Sequence, residues 1–390
     1  MTTFSQKELD NRIKAIQQYI AHENADACII SSTVNLFYLN GFVFDGQMFI
    51  FPDREPMLFV RRPVDIEAEN VLFIYKPEQI PELLEKQNVA VPKRILLEND
   101  VLSYNSVSRI QKALQMPELK NVSAFMREMR SVKSESELEL IRESAASHAK
   151  VYEQIPSLYR SGMTDLELQI EIEYIMRKEG SIGIFRSFGE NMDIYMGNLL
   201  AGDNAQEASP FDFALGGKGI DPLLPLGSAN KALKPGTSIM VDMAGNYTPY
   251  ISDMTRTFSV GEIPDEAHRA HQLSIDIHRE IISFAKEGVA CSDIYEKAME
   301  MVVENNLEDY FMGTTQQARF IGHGLGLEIN EPPVFAPRSK QLLQKNMAIA
   351  LEPKFVLPGI GAVGMENTYF VTETGLEKVT VCEEGIVKLG

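Results

Sequence analysis

A chain of 390 residues, 44% of them hydrophobic, is long for one domain and can bury a substantial core, so two domains are expected. Its net charge of −18 argues against nucleic acid or anionic lipid as the main partner and is read as acidic solubility. No window approaches the roughly 20 apolar residues that a membrane-spanning helix needs.

The opening stretch, MTTFSQKELDNRIKAIQQYI, is polar and lacks the apolar core of a secretion signal, which predicts a cytoplasmic protein. Cys28, Cys291 and Cys382 have no paired spacing and are read as buried thiols of a reducing compartment. Residues 5–21 form an amphipathic helix with Leu9, Ile13, Ile16 and Ile20 on one face. ADACIISSTVNLFYLNGF reads as a buried strand and a polar turn, GQMFIFP with PMLFVRRP as a hairpin, and VLFIYKP as a further strand. This alternation of short strands and helices continues to about Ala124, so residues 1–125 are assigned to an α/β domain devoted to packing and to walling a site.

Residues 126–390 form the second domain. A long charged helix enters through Ser134 with Glu137 as its capping box, and a second through Thr164 with Glu167, closed by Gly180. Two helices ahead of a strand-rich segment suggest an α+β domain with helices on one face of an antiparallel sheet. His148, on the first helix, is read as a surface or core residue. From Ile182 to Gly236 the chain is Gly-rich and irregular, and long loops of this kind tend to be functional. Its GGKG at 216–219 lacks the spacing of a phosphate loop.

The stretch from Ile239 to Phe258, IMVDMAGNYTPYISDMTRTF, reads as two strands around a turn at Asn246 to Tyr250, with Asp242 in one and Asp253 in the other. A carboxylate among apolar strand residues is costly to desolvate unless a cation faces it, and no Lys or Arg stands beside either aspartate, which points to a metal site. The helix that follows carries His268, His271 and His278; the first two have the i, i+3 spacing of a metal pair but no third ligand, so a solvated face is expected for them. Met299 and Met301, on the next helix, are read as core. FIGHGLGLEINEPPVF places His323 between glycines in an apolar setting, AIALEPKFVLPGIG places Glu352 at a strand end, and AVGMENTYFVTETG places Glu366 inside a strand.

The order of Asp242, Asp253, His323 in GHGxG, Glu352 in LEP and Glu366 in MENT resembles the ligand set of the pita-bread metallohydrolases: prolidase, aminopeptidase P, methionine aminopeptidase and their relative creatinase. NADACIISSTVNLFYLNGF and MREMRSVKSESELELIR are similar to the N-terminal domain and linking helix of the prolidase–creatinase branch. The resemblance implies a C-terminal pita-bread α+β fold after a smaller creatinase-type α/β domain. It also implies two divalent ions, with Asp253 and Glu366 bridging, Asp242 chelating one, and His323 with Glu352 completing the other. Four carboxylates cancel two dications, and oxygen-rich ligation with one imidazole suits Mn, Co, Fe or Zn. The implied reaction is attack of a bridging hydroxide on a peptide or small amide of Xaa-Pro type, with Glu352 moving its proton. A short-peptide or small-molecule substrate and a homodimer are expected with it.

The chain departs from the pattern at two histidines near the metals, where Leu226 and Asn330 stand, and at an arginine, where Gly364 stands. Asn330 keeps a hydrogen-bond donor and Leu226 has none. Arg186, Tyr195, Asn198 and Lys218 of the irregular segment are candidates to contact substrate in their place. Two alternatives stand beside the peptidase: the same metals used for a lyase or a non-peptide C–N hydrolase, and a non-catalytic binding protein on this scaffold.

Overall fold

The computed structural model describes residues 4–189, 195–211 and 213–390, and the chain divides into two compact units, Met1–Met129 and Arg130–Gly390. In the first, strands β1 (Ala27–Ile30), β2 (Asp45–Ile50), β3 (Met57–Arg62), β4 (Val71–Phe73), β5 (Arg94–Leu97) and β6 (Glu118–Asn121) form one sheet of order β4-β3-β2-β1-β5-β6. The hairpin read from sequence is present as the antiparallel β2–β3 pair, while β1–β5, β3–β4 and β5–β6 are parallel. Ile29, Phe49, Phe59, Ile95 and Leu97 supply the centre of its core. The N-terminal helix Gln6–His22 is capped by Ser5 and buries Leu9, Ile16 and Ile20.

The second unit opens with helices Glu135–Tyr152 and Asp165–Lys178, each with its reciprocal capping box, Ser134/Glu137 and Thr164/Glu167. Four strands follow in one sheet of order β17-β9-β8-β7: β7 (Gly197–Ala201), β8 (Ser238–Gly245), β9 (Ser252–Val260) and, parallel to β9, the C-terminal β17 (Val387–Leu389). Ile239, Val241 and Met243 of β8, with Met254 and Phe258 of β9, pack against Tyr152, Leu168 and Ile172 of the two helices. Side chains alternate across a strand, so Asp242 and Asp253, of the opposite parity, point to the other face. The irregular segment expected over 182–236 thus contains a strand, β7, paired in register with β8, and part of it, 190–194 and 212, lies outside the described residues.

Beyond helices Asp265–Phe284 and Cys291–Glu304 come β10 (Gly322–Gly324), β11 (Glu331–Val334), β12 (Ala348–Leu351), β13 (Lys354–Leu357), β14 (Gly361–Gly364), β15 (Asn367–Val371) and β16 (Leu376–Lys378). β11-β10-β12-β15-β16 form an antiparallel sheet and β13–β14 a separate pair. The chain passes from β12 to β13 and back from β14 to β15, so two neighbouring strands bend together from one sheet into the next. Glu352 and Glu366 sit at that bend; Glu366 is between strands rather than within one, as its apolar flanks had indicated.

Backbone groups at the bend have no sheet partner and must find others. Helix Asp265–Phe284 supplies them. Gly364 N–H donates to His271 Nδ1 (3.1 Å), Met365 N–H to Ser274 Oγ (3.1 Å), Ser274 Oγ–H to the Pro353 carbonyl (2.6 Å), and His278 Nε2 to the Met365 carbonyl (3.2 Å). The solvated face expected for this helix therefore holds only at the exposed His268; His271 and His278 are buried because the bend needs their ring nitrogens. Met299 and Met301 pack at the edge of the apolar cluster over β10 and β12–β15, and Cys382 is half-buried, unlike Cys28 and Cys291.

Burial holds His148 and His278 neutral, lowering each to about 3, and lowers His271 to about 4. An unfolded chain takes up these protons as pH falls below about 6.5, whereas the folded chain does not until pH 3–4. The unfolded state therefore binds more protons throughout that window, and stability falls with pH at about 1.4 kcal/mol per unit for each histidine. Chemical denaturation of metal-loaded protein at pH 7 and pH 5 should show this loss, with His148→Gln removing about one third of the three-histidine slope. An unchanged slope in the variant would remove His148 from the account.

Candidate metal centre

Asp242 and Asp253 lie on one face of adjacent strands but are not directly opposite. Asp242 pairs with Thr255 and Asp253 with Ala244, which makes the aspartates diagonal neighbours. The segment after the bend docks on the same strand: Glu366 N–H donates to the Thr255 carbonyl (3.2 Å), and Asp253 N–H to Thr368 Oγ1 (2.9 Å). Arg256, fully buried, donates to the Glu366 carbonyl and to Asn367 Oδ1, each at 2.8 Å. Glu352 is brought in from β12, its N–H bonded to the Ile321 carbonyl. His323 comes from β10, where an added Cβ at Gly322 would meet Ala350 O at 2.2 Å and one at Gly324 would meet Pro332 O at 2.0 Å. Only glycines let β10 lie this close between β11 and β12.

The five residues singled out in the sequence thus converge. Ligand atoms of Asp253, His323 and Glu366 lie within 4.8 Å of one another, as do those of Asp242, Glu352 and Glu366. Burial, then repulsion from Glu366, Asp242 and Glu352, pushes the Asp253 carboxyl well above its usual range. Glu366 is raised to about 8, burial outweighing the attraction of Lys354.

The first group fits a divalent ion. His323 Nδ1 lies 3.1 Å from the Gly324 carbonyl, which only accepts, so Nδ1 carries a proton and Nε2 is turned toward the carboxylates. Nε2 faces Glu352 Oε1 at 3.6 Å and Asp253 Oδ2 at 3.8 Å, too far for hydrogen bonds. A cation between them reconciles the donor set.

The second group is different, because the expectation that no lysine or arginine faces the aspartates fails in space. Lys354 Nζ lies 2.9 Å from Asp242 Oδ2, 2.7 Å from Glu352 Oε2 and 3.3 Å from Glu366 Oε2. Lys354 is two residues past Glu352 and so returns to the same face; that spacing, in an apolar run, was the available signal. Burial would lower its ammonium, but Asp242, Glu352 and Glu366 together raise it well above the usual lysine value.

Of the candidates for substrate contact, Asn198 pairs in register with Asp242 and is buried, with Nδ2 donating to the Leu215 carbonyl (3.1 Å) and Oδ1 without a partner among the described residues. Leu226 is buried just before Gly227, where an added Cβ would come 3.4 Å from Asn198 Cβ. Asn330 spends its amide on the loop: Oδ1 accepts from Phe188 N–H (2.8 Å) and Nδ2 donates to the Phe188 carbonyl (2.7 Å). Arg186, Tyr195 and Lys218 are exposed, and among the described residues none of their side chains bonds to the four acids or the histidine.

Arg256 holds Glu366 through its backbone rather than touching a ligand atom. Arg256→Ala should weaken metal affinity by about 10- to 100-fold, as loss of an outer-shell partner does, measurable by calorimetric titration; unchanged affinity would show that the bend holds Glu366 unaided.

An α/β unit followed by sheets that enclose four carboxylates and one imidazole, backed by two helix pairs, defines a pita-bread hydrolase with a creatinase-type N-terminal domain. Residues 139–373 match Metallopeptidase family M24 and residues 12–132 the Creatinase/Prolidase N-terminal domain, and the chain belongs to the M24 metallopeptidase family. It is 23% identical to an Xaa-Pro dipeptidase of Pyrococcus furiosus, over 97% of this chain and 100% of that one. It is 27% identical to an uncharacterized peptidase of Staphylococcus epidermidis, over 96% and 99%. Among solved structures it resembles an Xaa-Pro dipeptidase from Bacillus anthracis (TM-score 0.81, 22% identity, 98% and 100% coverage). An X-Pro aminopeptidase from Thermotoga maritima is also similar (TM-score 0.78, 23% identity, 94% and 98% coverage).

Proposed function

We propose that this M24 enzyme is a divalent-metal-dependent peptidase that removes the residue before proline from short Xaa-Pro peptides. The observation that carries the reading is the convergence of Asp253, His323 and Glu366, whose ligand atoms lie within 4.8 Å of one another, with His323 Nε2 turned toward Glu352 Oε1 and Asp253 Oδ2. Asp253, His323 and Glu366 would hold the ion, with Glu352 Oε1 beside them. A divalent ion supplies Lewis acidity and makes water nucleophilic near neutral pH, and this donor set suits Mn, Co, Fe or Zn. The two-ion complement expected from the family resemblance has its second position at Asp242, Glu352 and Glu366.

Glu352 divides its oxygens. Oε2 accepts from Lys354, while Oε1 faces the His323 side and is the atom on which a proton from water would be held and returned to the leaving amine. Leu226 offers no donor to a substrate carbonyl, Asn330 is committed to Phe188, and Asn198, opposite Asp242, brings an amide whose atom unpartnered among the described residues, Oδ1, is an acceptor. A homodimer in a cytoplasmic setting completes the reading, supported by three free thiols. Among the described residues no helix is long and apolar enough to cross a membrane.

The test is a panel of Xaa-Pro dipeptides and longer Xaa-Pro peptides, with non-proline controls, given to chelated protein before and after reloading with Mn or Co. Metal-restored cleavage before proline supports the reading. Loaded protein inert toward every member would refute it.

A further inference from the structure

The acids of the second group already have a cation, and the chain itself provides it. We infer that the Lys354 ammonium is the built-in occupant of one of the two cation positions, so that the centre takes a single divalent ion, at Asp253, His323 and Glu366. The inference rests on the metal-dependent reading above.

An ammonium has three N–H donors, and three carboxylates receive them, Asp242, Glu352 and Glu366, at 2.9, 2.7 and 3.3 Å. The same oxygens would have to approach a metal at about 2.0 to 2.6 Å, so an ion in this group and Nζ compete for one volume. Lys354 is anchored in the interior. It is fully buried, and its backbone is held on both sides by Met312, whose N–H donates to the Lys354 carbonyl (2.8 Å) and whose sulfur accepts from the Lys354 N–H (3.4 Å). A dication driven in beside this ammonium would meet like charge in a water-poor site.

The two groups also differ in what they lack. Around Nζ every contact is a donor meeting an acceptor at hydrogen-bond distance, whereas His323 Nε2 has its carboxylate neighbours at 3.6 and 3.8 Å, beyond hydrogen-bond reach and with space for an ion between them. Glu366 Oε2 already accepts from Thr255 Oγ1 (2.7 Å) and from Lys354, which leaves Oε1 for an ion. Glu352 likewise gives Oε2 to Lys354 and Oε1 to the His323 side. Each glutamate therefore bridges ammonium and ion with different oxygens. Four carboxylates with one ammonium and one dication carry −1, close to neutrality, and a second dication would invert the sign. Lys354 is thereby a fixed positive charge and hydrogen-bond donor where a second Lewis acid would otherwise stand.

The test counts metal rather than turnover. Chelated wild-type protein and Lys354→Met are equilibrated with excess Mn(II), freed of unbound ion, and analysed by elemental mass spectrometry and electron paramagnetic resonance. The wild type should hold one ion per chain with the six-line pattern of an isolated Mn(II); Lys354→Met should hold two, exchange-coupled. His323→Ala should lose the wild-type ion. Two coupled ions in the wild type would overturn the inference and leave the peptidase reading intact, as would one ion lost in Asp242→Asn but retained in His323→Ala. Lys354→Met remaining at one ion would show that the ammonium is not what excludes the second. A folded wild type holding no ion would overturn both readings. Should Lys354→Met fail to fold, the count and spectrum of the wild type decide.

Discussion

Asp253→Asn should lower kcat/KM by about 10³-fold or more, the scale expected when the several kcal/mol supplied by a bound ion are lost, and yet leave the metal-free protein at least as stable as the parent. Both signs follow from one carboxylate. With an ion in place Asp253 is a ligand; without one it is fully buried and pushed far up by desolvation and by Glu366, Asp242 and Glu352, with Lys354 offsetting only part. An amide of the same shape removes that repulsion. Thermal denaturation with and without Mn(II) separates the effects. Ligand linkage at about 100 times Kd stabilises the parent by about 2.7 kcal/mol, and the variant should show none of it. A variant still stabilised by metal would place the ion elsewhere.

Glu331→Ala should cost about 3–5 kcal/mol, the penalty for stranding buried charge, and lower the melting temperature by about 10 °C. Glu331 lies between Arg130 Nε (3.2 Å) and Lys133 Nζ (2.8 Å), all three buried, and those cations hold its carboxyl below the usual range against the opposing effect of burial. Arg130 also bonds Glu328. The cluster ties Arg130, at the end of helix Ser123–Ser131, and Lys133 just beyond it to the turn that follows His323, where Gly324 pairs with Glu331. Glu328→Ala, which leaves Arg130 its bond to Glu331, should cost less. Calorimetry of both variants settles the order, and equal losses would contradict this assignment of roles.

The parts of this centre that were legible in sequence are those set by local periodicity. A carboxylate in step with Met240 and Ala244 on β8, and another in step with Thr255 and Thr257 on β9, must leave the helix-covered face, and glycines on both sides of His323 announce close strand packing. What escaped was decided by partners distant in sequence. Lys354 reads locally as a strand-end lysine, and only the bend after Pro353 returns it to Asp242, 112 residues earlier. His271 reads as part of a polar helix face because the orphan backbone groups it serves lie on another element. The strand Gly197–Ala201 was hidden in a glycine-rich run because its pairing with β8 is non-local. Asn330 looked like a substitute donor until Phe188 was found to take both ends of its amide.

The most direct measurement is anomalous diffraction at the manganese edge from crystals grown with Mn(II). A single peak bounded by Asp253, His323 and Glu366, with the Lys354 ammonium still among Asp242, Glu352 and Glu366, is the result expected. Two peaks with Lys354 displaced, or none in crystals of the folded protein soaked to saturation, would contradict the account.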